Sequence, residues 1–211
     1  MKAVIIPVTA FQQNCSVLWC TETKKAAIID PGGEIDRINA AIEEQGVDVE
    51  KILITHGHID HAGAAADLAE QLGAPIEGPH IEDKFWLEQL AEQGARFGVD
   101  ASRPFTPSRG LDQGESVTVG NLTFEGRVCP GHTPGHIIFF EPVSRIAFVG
   151  DVLFQGSIGR TDFPGGDHDT LLASIREQLW PLGDDVTFVP GHGPTSTLGH
   201  ERKTNPFVRE G

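Results

Sequence analysis

The six residues from His56 to His61 constrain this chain more than any other segment, because they place three histidines and one aspartate on one short loop. The preceding run from Lys51 to Thr55 is apolar and β-branched, which predicts a buried strand that ends at Thr55. The Ala-rich segment 62–70 that follows predicts a helix. The loop therefore joins a strand to a helix, and functional sites of α/β proteins collect at the carboxyl ends of strands.

The spacing of these side chains indicates a metal site. His56 and His58 are two residues apart, so on extended backbone both imidazoles point to one side and can bind one cation. Asp60 and His61 point to a second position from the start of the next helix, where Asp60 is also expected as the N-cap. Such ligands suit zinc, and also iron, manganese or cobalt. The alternative is a solvated polar loop without a function, which this density of imidazoles disfavours.

Composition narrows the classes of protein that fit. A chain of 211 residues is long enough for one domain with a full core. Its 30 acidic and 16 basic residues give a net charge of −14, so a nucleic acid is not an expected partner. Three cysteines without a C-x-x-C pair argue against a disulfide framework and a Cys-type zinc site. No signal peptide or membrane span is visible, so we expect a cytoplasmic protein without a membrane partner.

The remaining pattern predicts a mixed α/β chain. Strands are predicted at residues 1–8, 15–20, 26–30, 75–77, 116–119, 122–124, 137–141, 146–149 and 187–189. Helices are predicted at residues 34–45, 62–72, 81–93 and 169–179. Segment 94–114 is rich in proline, glycine and arginine, and we expect a long surface loop that borders the site. Trp19, Phe85 and Trp86 are expected in the core.

Three later loops carry further candidate ligands. Each of them follows an apolar strand in a turn rich in glycine or proline, where the backbone can come close to a ligand. The candidates are His132, Asp151 and His192. Each says little by itself, but with the first loop they make seven groups, about what two metal ions need. His136 is expected to be buried and hydrogen-bonded rather than to be a ligand.

The order and spacing of these motifs resemble the metallo-β-lactamase superfamily over nearly the whole chain. The matching segments are 55–61, 130–136, 150–151 and 190–193. Within that superfamily the sequence is most similar to short bacterial type II glyoxalases (hydroxyacylglutathione hydrolases), which also carry segments like 159–164 and 205–207. The resemblance implies a four-layer αβ/βα sandwich in the α/β (α+β) class. It also implies one domain over residues 1–211, without a separate C-terminal helical domain, and metals at one edge of the two sheets.

The resemblance implies a set of ligands for two divalent metal ions, with zinc as the first candidate and iron or manganese as alternatives. One metal would be held by His56, His58 and His132, the other by Asp60, His61 and His192, and Asp151 would bridge both. Asp60 is also a candidate for orienting or shuttling a proton, and Asp30 for supporting the metal loop. Some lactamases of the superfamily have a cysteine where this chain has Asp151, so the sequence favours a two-metal hydrolase over a β-lactamase.

The expected reaction is hydrolysis of a thioester. Two divalent cations lower the pKa of a shared water from about 15.7 to about 7 or below, which supplies hydroxide at neutral pH. A thiol with a pKa of about 8.5 leaves without a dedicated general acid. The resemblance implies S-lactoylglutathione or a similar 2-hydroxyacyl-glutathione, cleaved to glutathione and a 2-hydroxy acid. The carboxylates of such a substrate call for a cation, and we expect Arg160 to bind them.

The sequence leaves other functions open. A persulfide dioxygenase of the same superfamily would hold a single iron through residues like His56, His132 and Asp151. A hydrolase of another thioester or of a lactone would use the same metals. A phosphodiesterase conflicts with the net charge of −14. A non-enzymatic scaffold would require an incomplete set of ligands, whereas all seven groups are present.

Overall fold

Two β-sheets that pack through their inner faces organise the chain in the computed structural model, which describes residues 1–99 and 102–209. The first half supplies a five-stranded sheet with β1 (Lys2–Val8), β2 (Gln13–Trp19), β3 (Lys25–Ile29), β4 (Asp48–Leu53) and β5 (Ile76–Glu77), in that spatial order. The first three strands pair in antiparallel fashion, and β3, β4 and β5 run parallel. The strand predicted before the histidine loop is confirmed, but it ends at Leu53 rather than at Thr55.

The second half supplies the other sheet and a small hairpin. Its strands are β6 (Ser116–Val119), β7 (Leu122–Val128), β8 (Ile137–Glu141), β9 (Ile146–Gly150), β10 (Leu153–Phe154), β11 (Ser157–Ile158), β12 (Thr187–Pro190) and β13 (Ser196–Thr197). The sheet has the spatial order β13-β12-β9-β8-β7-β6, and β10 pairs with β11. Strands β9 and β12 are parallel neighbours, so their carboxyl ends meet at one edge.

Seven α-helices in the described part of the chain connect or cover the strands. They are α1 (Ile35–Gln45), α2 (Ile59–Ala62), α3 (Ala65–Leu72), α4 (Lys84–Glu88), α5 (Leu90–Phe97), α6 (His168–Ser174) and α7 (Leu198–Thr204). Helix α1 matches its prediction and ends at Gly46, whose φ of 58° glycine adopts without strain. A π-helical turn at Ile175–Leu179 continues α6, in agreement with the helix predicted there. Within the described residues, no helix has the length and apolar character needed to cross a membrane.

Three separate apolar cores show that the sheets and helices make four layers. On the outer face of the first sheet, Ile52 belongs to a core that includes Ile38 of α1 and Leu68 of α3. Between the sheets, Leu53 belongs to a second core that includes Phe139. The third core lies between the second sheet and α6. Ile52 and Leu53 join different cores because successive side chains of a strand point to opposite faces. The αβ/βα sandwich is therefore confirmed.

The helix predicted at 81–93 is wrong in its boundaries. A 3₁₀ turn at Ile81–Asp83 leads into α4, and α5 then starts at Leu90 and runs to Phe97. Four residues expected in the loop at 94–114 are therefore helical. The pattern misled because the apolar face, with Leu87 and Leu90, is shared by two short helices that join at Gln89. Of that predicted loop, residues 100 and 101 lie outside the described part of the chain.

Two further expectations about single residues are wrong. Phe85 is 47% exposed, whereas its neighbour Trp86 is buried as expected, because the short helix α4 turns only one side inward. Asp60 is not an N-cap, because His58 occupies that position of α2 and no side chain caps the helix. The carboxylate of Asp60 faces the Nε2 atom of His192 instead, at 3.1 Å.

The C-terminal helix fixes the small hairpin of β10 and β11. The buried side chain of Asn205 donates hydrogen bonds to the carbonyl oxygens of Ser157, at 3.0 Å, and Phe154, at 3.4 Å. The buried carboxylate of Glu201, four residues before Asn205 in α7, accepts a hydrogen bond from the backbone N–H of Gly156 at 2.8 Å. The hairpin therefore depends on side chains of the tail for its position.

Replacing Asn205 by alanine should destabilise the protein, because the carbonyl groups of the hairpin lose their buried donor. We expect the free energy of unfolding to fall by about 1–3 kcal/mol. Chemical denaturation of the purified variant measures the change. The matched control is Asn121→Ala, because Asn121 bonds Glu22 on the exposed surface, where a change within about 0.5 kcal/mol is expected. Equal losses in the two variants would contradict the prediction.

Candidate metal centre

The structure brings all seven predicted metal-binding side chains together at one edge of the two sheets. The loop after β4 and helix α2 carry the four from the first half, and the loops after β7, β9 and β12 carry the other three. They form three groups of three, with donor atoms within 4.8 Å of one another in each group. The groups are His56, His58 and His132; His56, His61 and Asp151; and Asp60, His61 and His192.

Three imidazoles form the first group, and their nitrogens face one another. The Nδ1 atom of His58 lies 3.1 Å from Nε2 of His56 and 3.0 Å from Nε2 of His132. Burial lowers the pKa of all three below the usual range, to about 3 for His58, and a neighbouring imidazole lowers the pKa of His56 and His58 further. The three rings are therefore neutral, with one N–H each.

Hydrogen bonds on the far side of the His132 and His56 rings determine which nitrogen of each ring carries no proton. The Nδ1–H of His132 donates to the carbonyl oxygen of Arg160 at 2.8 Å, so its Nε2 carries a lone pair. The hydroxyl of Thr55 donates to Asp30, so the Nδ1 of His56, at 3.0 Å, donates to that hydroxyl. Two lone pairs therefore face His58 Nδ1, and one proton cannot satisfy both of them. A cation among the three nitrogens fits this arrangement.

The third group, Asp60, His61 and His192, combines a carboxylate with two imidazoles. The Nδ1–H of His192 donates to the carbonyl oxygen of Phe11 at 3.1 Å, which leaves its Nε2 facing the carboxylate of Asp60. Burial opposes ionisation of Asp60, but His61 and His192 outweigh it and hold its pKa below the usual value. The Nε2 of His61 is buried, lies 3.2 Å from Oδ1 of Asp151 and forms no well-aligned hydrogen bond with the described residues. A cation suits this group as well.

The carboxylate of Asp151 lies between the first group and the third group. Its Oδ1 is 3.2 Å from Nε2 of His61, and its Oδ2 is 3.6 Å from Nε2 of both His132 and His192. Oδ1 is buried and forms no hydrogen bond with the described residues. A buried carboxylate oxygen without a partner is costly, unless a cation completes its surroundings. The chemistry of the donors therefore fits a metal centre.

Asp30 holds the histidine loop, as the resemblance implied. Its Oδ1 accepts a hydrogen bond from the backbone N–H of Thr55 at 2.7 Å, and its Oδ2 accepts from Nδ1–H of His61 at 2.8 Å. Asp30 adopts a φ of 52°, a left-handed conformation that aspartate tolerates better than most residues. It thus orients His61 with its Nε2 toward Asp151.

Two buried polar residues that sequence reasoning missed tie the loops together. Asp83 accepts hydrogen bonds from the backbone N–H of Gly57 and of Gly135, which belong to different histidine loops. Gln93 accepts from the N–H of Ile59 at 3.0 Å and donates to the carbonyl of Gly57. The signal was present, because Asp83 and Gln93 interrupt the apolar face of the helix predicted at 81–93.

His136 is buried and hydrogen-bonded, as expected. Its ring stacks on that of His56 with centroids 4.7 Å apart, and its Nε2 accepts a hydrogen bond from the backbone N–H of Asp151.

Close approach of the backbone to Asp151 explains why the residue before His192 is a glycine. A Cβ atom at Gly191 would lie 2.0 Å from the Oδ1 of Asp151, so only glycine fits there.

Comparison with known proteins agrees with this geometry. A family model described as the metallo-beta-lactamase superfamily matches residues 8–200. The chain belongs to this superfamily. Hydroxyacylglutathione hydrolase GloC of Haemophilus influenzae is 52% identical over 209 residues, which cover 99% of this chain and 98% of that protein. The chain is accordingly a metal-dependent hydrolase.

Two solved structures of the same fold cover nearly the full length. The BLEG-1 B3 metallo-beta-lactamase is 36% identical with a TM-score of 0.91, over 99% of this chain and 100% of that chain. TTHA1623, solved in a di-iron-bound form, is also 36% identical, with a TM-score of 0.88 over 97% of this chain and 100% of that one.

This metallo-β-lactamase superfamily member has a pocket of about 890 Å³ over the metal centre. Five of the seven donor residues line it, together with five phenylalanine and tryptophan side chains. The aromatic residues are Phe11, Trp86, Phe97, Phe154 and Phe163. Arg160 also lines the pocket, but its guanidinium forms two 2.7 Å hydrogen bonds to Asp162 and lies over the ring of Phe163. Its side chain therefore already has an anionic partner.

Replacing Asp30 by alanine should reduce metal content, because His61 then loses the acceptor that orients it. Loss of such a supporting carboxylate lowers metal affinity by about 10- to 100-fold. Elemental analysis after dialysis against a weak chelator measures the metal per chain. The matched control is Asp48→Ala, since Asp48 is an exposed carboxylate paired with Lys25 far from the pocket. Unchanged metal content in the Asp30 variant would refute this role.

Proposed function

We propose that this hydrolase cleaves glutathione thioesters of the S-lactoylglutathione type to glutathione and a 2-hydroxy acid. The proposal is carried by the position of Asp151, whose carboxylate lies between two groups of donors at the base of an aromatic pocket. A shared carboxylate suits two cations that act together on one bond. The 52% identity to a protein named hydroxyacylglutathione hydrolase, over nearly the full length, supports this substrate class.

The proposed centre holds two divalent cations. One cation would be held by His56, His58 and His132 and the other by Asp60, His61 and His192, and Asp151, which lies near His61, His132 and His192, would serve both. Zinc is the first candidate because all the donors are imidazoles and carboxylates, and iron or manganese suits the same donors. The di-iron form of the relative TTHA1623 supports iron as an alternative.

The residues of the pocket supply the remaining requirements of thioester hydrolysis. When bound, the cations lower the pKa of a water to about 7 and polarise the carbonyl group. Asp60 reaches the base of the pocket, where its carboxylate can orient the attacking water and accept its proton. The aromatic walls, with Trp86 and Phe163 beside His58, exclude bulk water from the reacting bond. The thiolate leaves without a general acid because its thiol has a pKa of about 8.5.

Recognition of the glutathione half is the finer part of the proposal. Arg160 stays a predicted contact for a substrate carboxylate, since it lines the pocket. Its hydrogen bonds to Asp162 reduce the positive charge that it offers there. The backbone carbonyl of Arg160 has a second role, because it orients His132.

Hydrolysis of a β-lactam is the second activity to test, because BLEG-1 carries the name of a B3 metallo-beta-lactamase and matches the whole chain. A mononuclear-iron persulfide dioxygenase would use only His56, His132 and Asp151. That alternative leaves the donors around His61 and His192 without a cation, which disfavours it. Other thioesters and lactones fit the same centre.

The deciding experiment measures hydrolysis of S-lactoylglutathione by protein of known metal content. We expect turnover with about two metals per chain, and loss of at least about 100-fold in kcat/KM for His132→Ala, because the first group of ligands is then incomplete. The matched control is His168→Ala, because His168 is an exposed histidine at the start of α6. Oxygen uptake on glutathione persulfide and hydrolysis of a chromogenic cephalosporin are measured in parallel.

Each outcome separates the candidates. Oxygen uptake by protein with one iron, without loss of thioester, would replace the proposal by the dioxygenase. Cleavage of the cephalosporin alone would assign a β-lactamase. Metal-loaded protein that is inactive in all three assays would exclude glutathione thioesters, and other thioesters and lactones would be tested next.

A further inference from the structure

Helix α5 forms the wall of the pocket next to the histidine loop. The side chain of Gln93, in the middle of α5, accepts a hydrogen bond from the N–H of Ile59 and thereby fixes the helix beside the metal centre. Residues three and four apart on a helix are neighbours on one face. Glu92 and Arg96 are four residues apart, and both line the pocket. Any substrate that extends from the metals along this wall meets both charges.

Arg96 offers a guanidinium group to the pocket. It lies over the ring of Phe97, 5.6 Å from the centroid, and has no ion pair or hydrogen bond with residues 1–99 or 102–209. Arg160, the other basic residue of the pocket, is held by Asp162. In a chain with a net charge of −14, most accessible cations have carboxylate neighbours. Arg96 is therefore the better site for an incoming carboxylate.

Glu92 offers the opposite charge on the same helix face. A glutamate four residues before an arginine commonly forms an ion pair on an exposed helix. Here Glu92 and Arg96 form no ion pair, and Glu92 has no other cationic partner within the described residues. Two opposite charges that stand side by side without bonding each other suit a ligand that carries both an ammonium and a carboxylate group.

We propose that Glu92 and Arg96 form a subsite for a zwitterionic α-amino-acid group on the thiol half of the substrate. Arg96 binds its carboxylate and Glu92 its ammonium group. This inference rests on the proposed thioester hydrolysis and names its substrate class. The preferred thioesters are those of peptide-like thiols with a free amino-acid end, rather than those of neutral or polyphosphorylated thiols.

The dimensions of the pocket agree with this assignment. Its volume of about 890 Å³ is at the upper end of the range of about 300–1,000 Å³ that is usual for small-molecule sites. A short acyl group at the metals fills only part of this space. The thiol half then occupies the rest, between α5 and the aromatic residues of the opposite wall. A polyphosphate would meet Glu92 and the acidic surface of the chain.

The test compares a charged with a neutral substrate. Steady-state kinetics are measured on metal-loaded protein with S-lactoylglutathione, with its N-acetylated form, and with the lactoyl thioester of N-acetylcysteamine. For Arg96→Gln we expect KM for S-lactoylglutathione to rise about 10- to 100-fold with kcat nearly unchanged, because one charged hydrogen-bonded pair is lost. The KM for the neutral thioester should not change. Arg96→Lys should restore part of the loss.

Glu92→Gln isolates the ammonium contact. It should raise KM for S-lactoylglutathione but not for the N-acetylated form, which has no ammonium group. The control variant is Lys84→Gln, at an exposed position of α4 paired with Glu88 outside the pocket. Equal effects of Arg96→Gln on charged and neutral substrates, or no effect on either, would overturn the subsite. So would a wild-type enzyme that shows no preference for S-lactoylglutathione over the neutral thioester.

Binding of S-methylglutathione, measured by calorimetry, separates the subsite from the proposed function. If wild-type protein cleaves no thioester but binds this probe and loses binding in Arg96→Gln, the subsite stands and the hydrolase proposal falls. If thioesters are cleaved but binding of the probe is unchanged in Arg96→Gln, the subsite falls and the hydrolase proposal stands. Absence of both activity and binding refutes both.

Discussion

Imidazole nitrogens that face one another in a buried site are the constraint on which this structure depends, because the lone pairs of His56 and His132 both face His58 and one proton cannot satisfy both. The far nitrogens of His56, His132 and His192 donate to Thr55 and to two backbone carbonyl groups. Each ring therefore turns its Nε2 atom to the centre, and the neutral rings of His56 and His132 present a lone pair there. In a buried site, a positive charge stabilises such an arrangement. The oxygen acceptors bind the N–H groups on the far side of the rings, and they thereby keep the nitrogens at the centre free for a cation.

The two sheets bring the metal-binding side chains together at one edge. Parallel strands in each sheet end at the same edge, and the apolar core between the sheets holds the two edges side by side. Asp83 then joins the loops of the two halves through backbone hydrogen bonds, and Gln93 joins α5 to the first loop. The pocket wall and the metal centre are therefore built from one connected set of hydrogen bonds.

Local patterns predicted the parts of the structure that depend on local interactions. The strand before His56, helix α1 with its glycine stop, and the loops with His132, Asp151 and His192 were all found from short segments of sequence. The role of Asp83 was not, because it bonds residues 26 and 52 positions away. Arg96 was not among the predicted site residues, because the helix that carries it was expected to be a loop.

The seven donors are divided between the halves of the chain, and every group of three draws on both. A break in the connection after α5 would therefore leave two fragments, one with four donors and one with three, and neither with a complete group. Recombined fragments would associate through the apolar inner faces of the sheets, and a divalent cation bound by donors of both fragments would stabilise the complex. The metal centre would thus couple the association of the two halves to a divalent cation, and a split form of the protein could report the presence of such a cation.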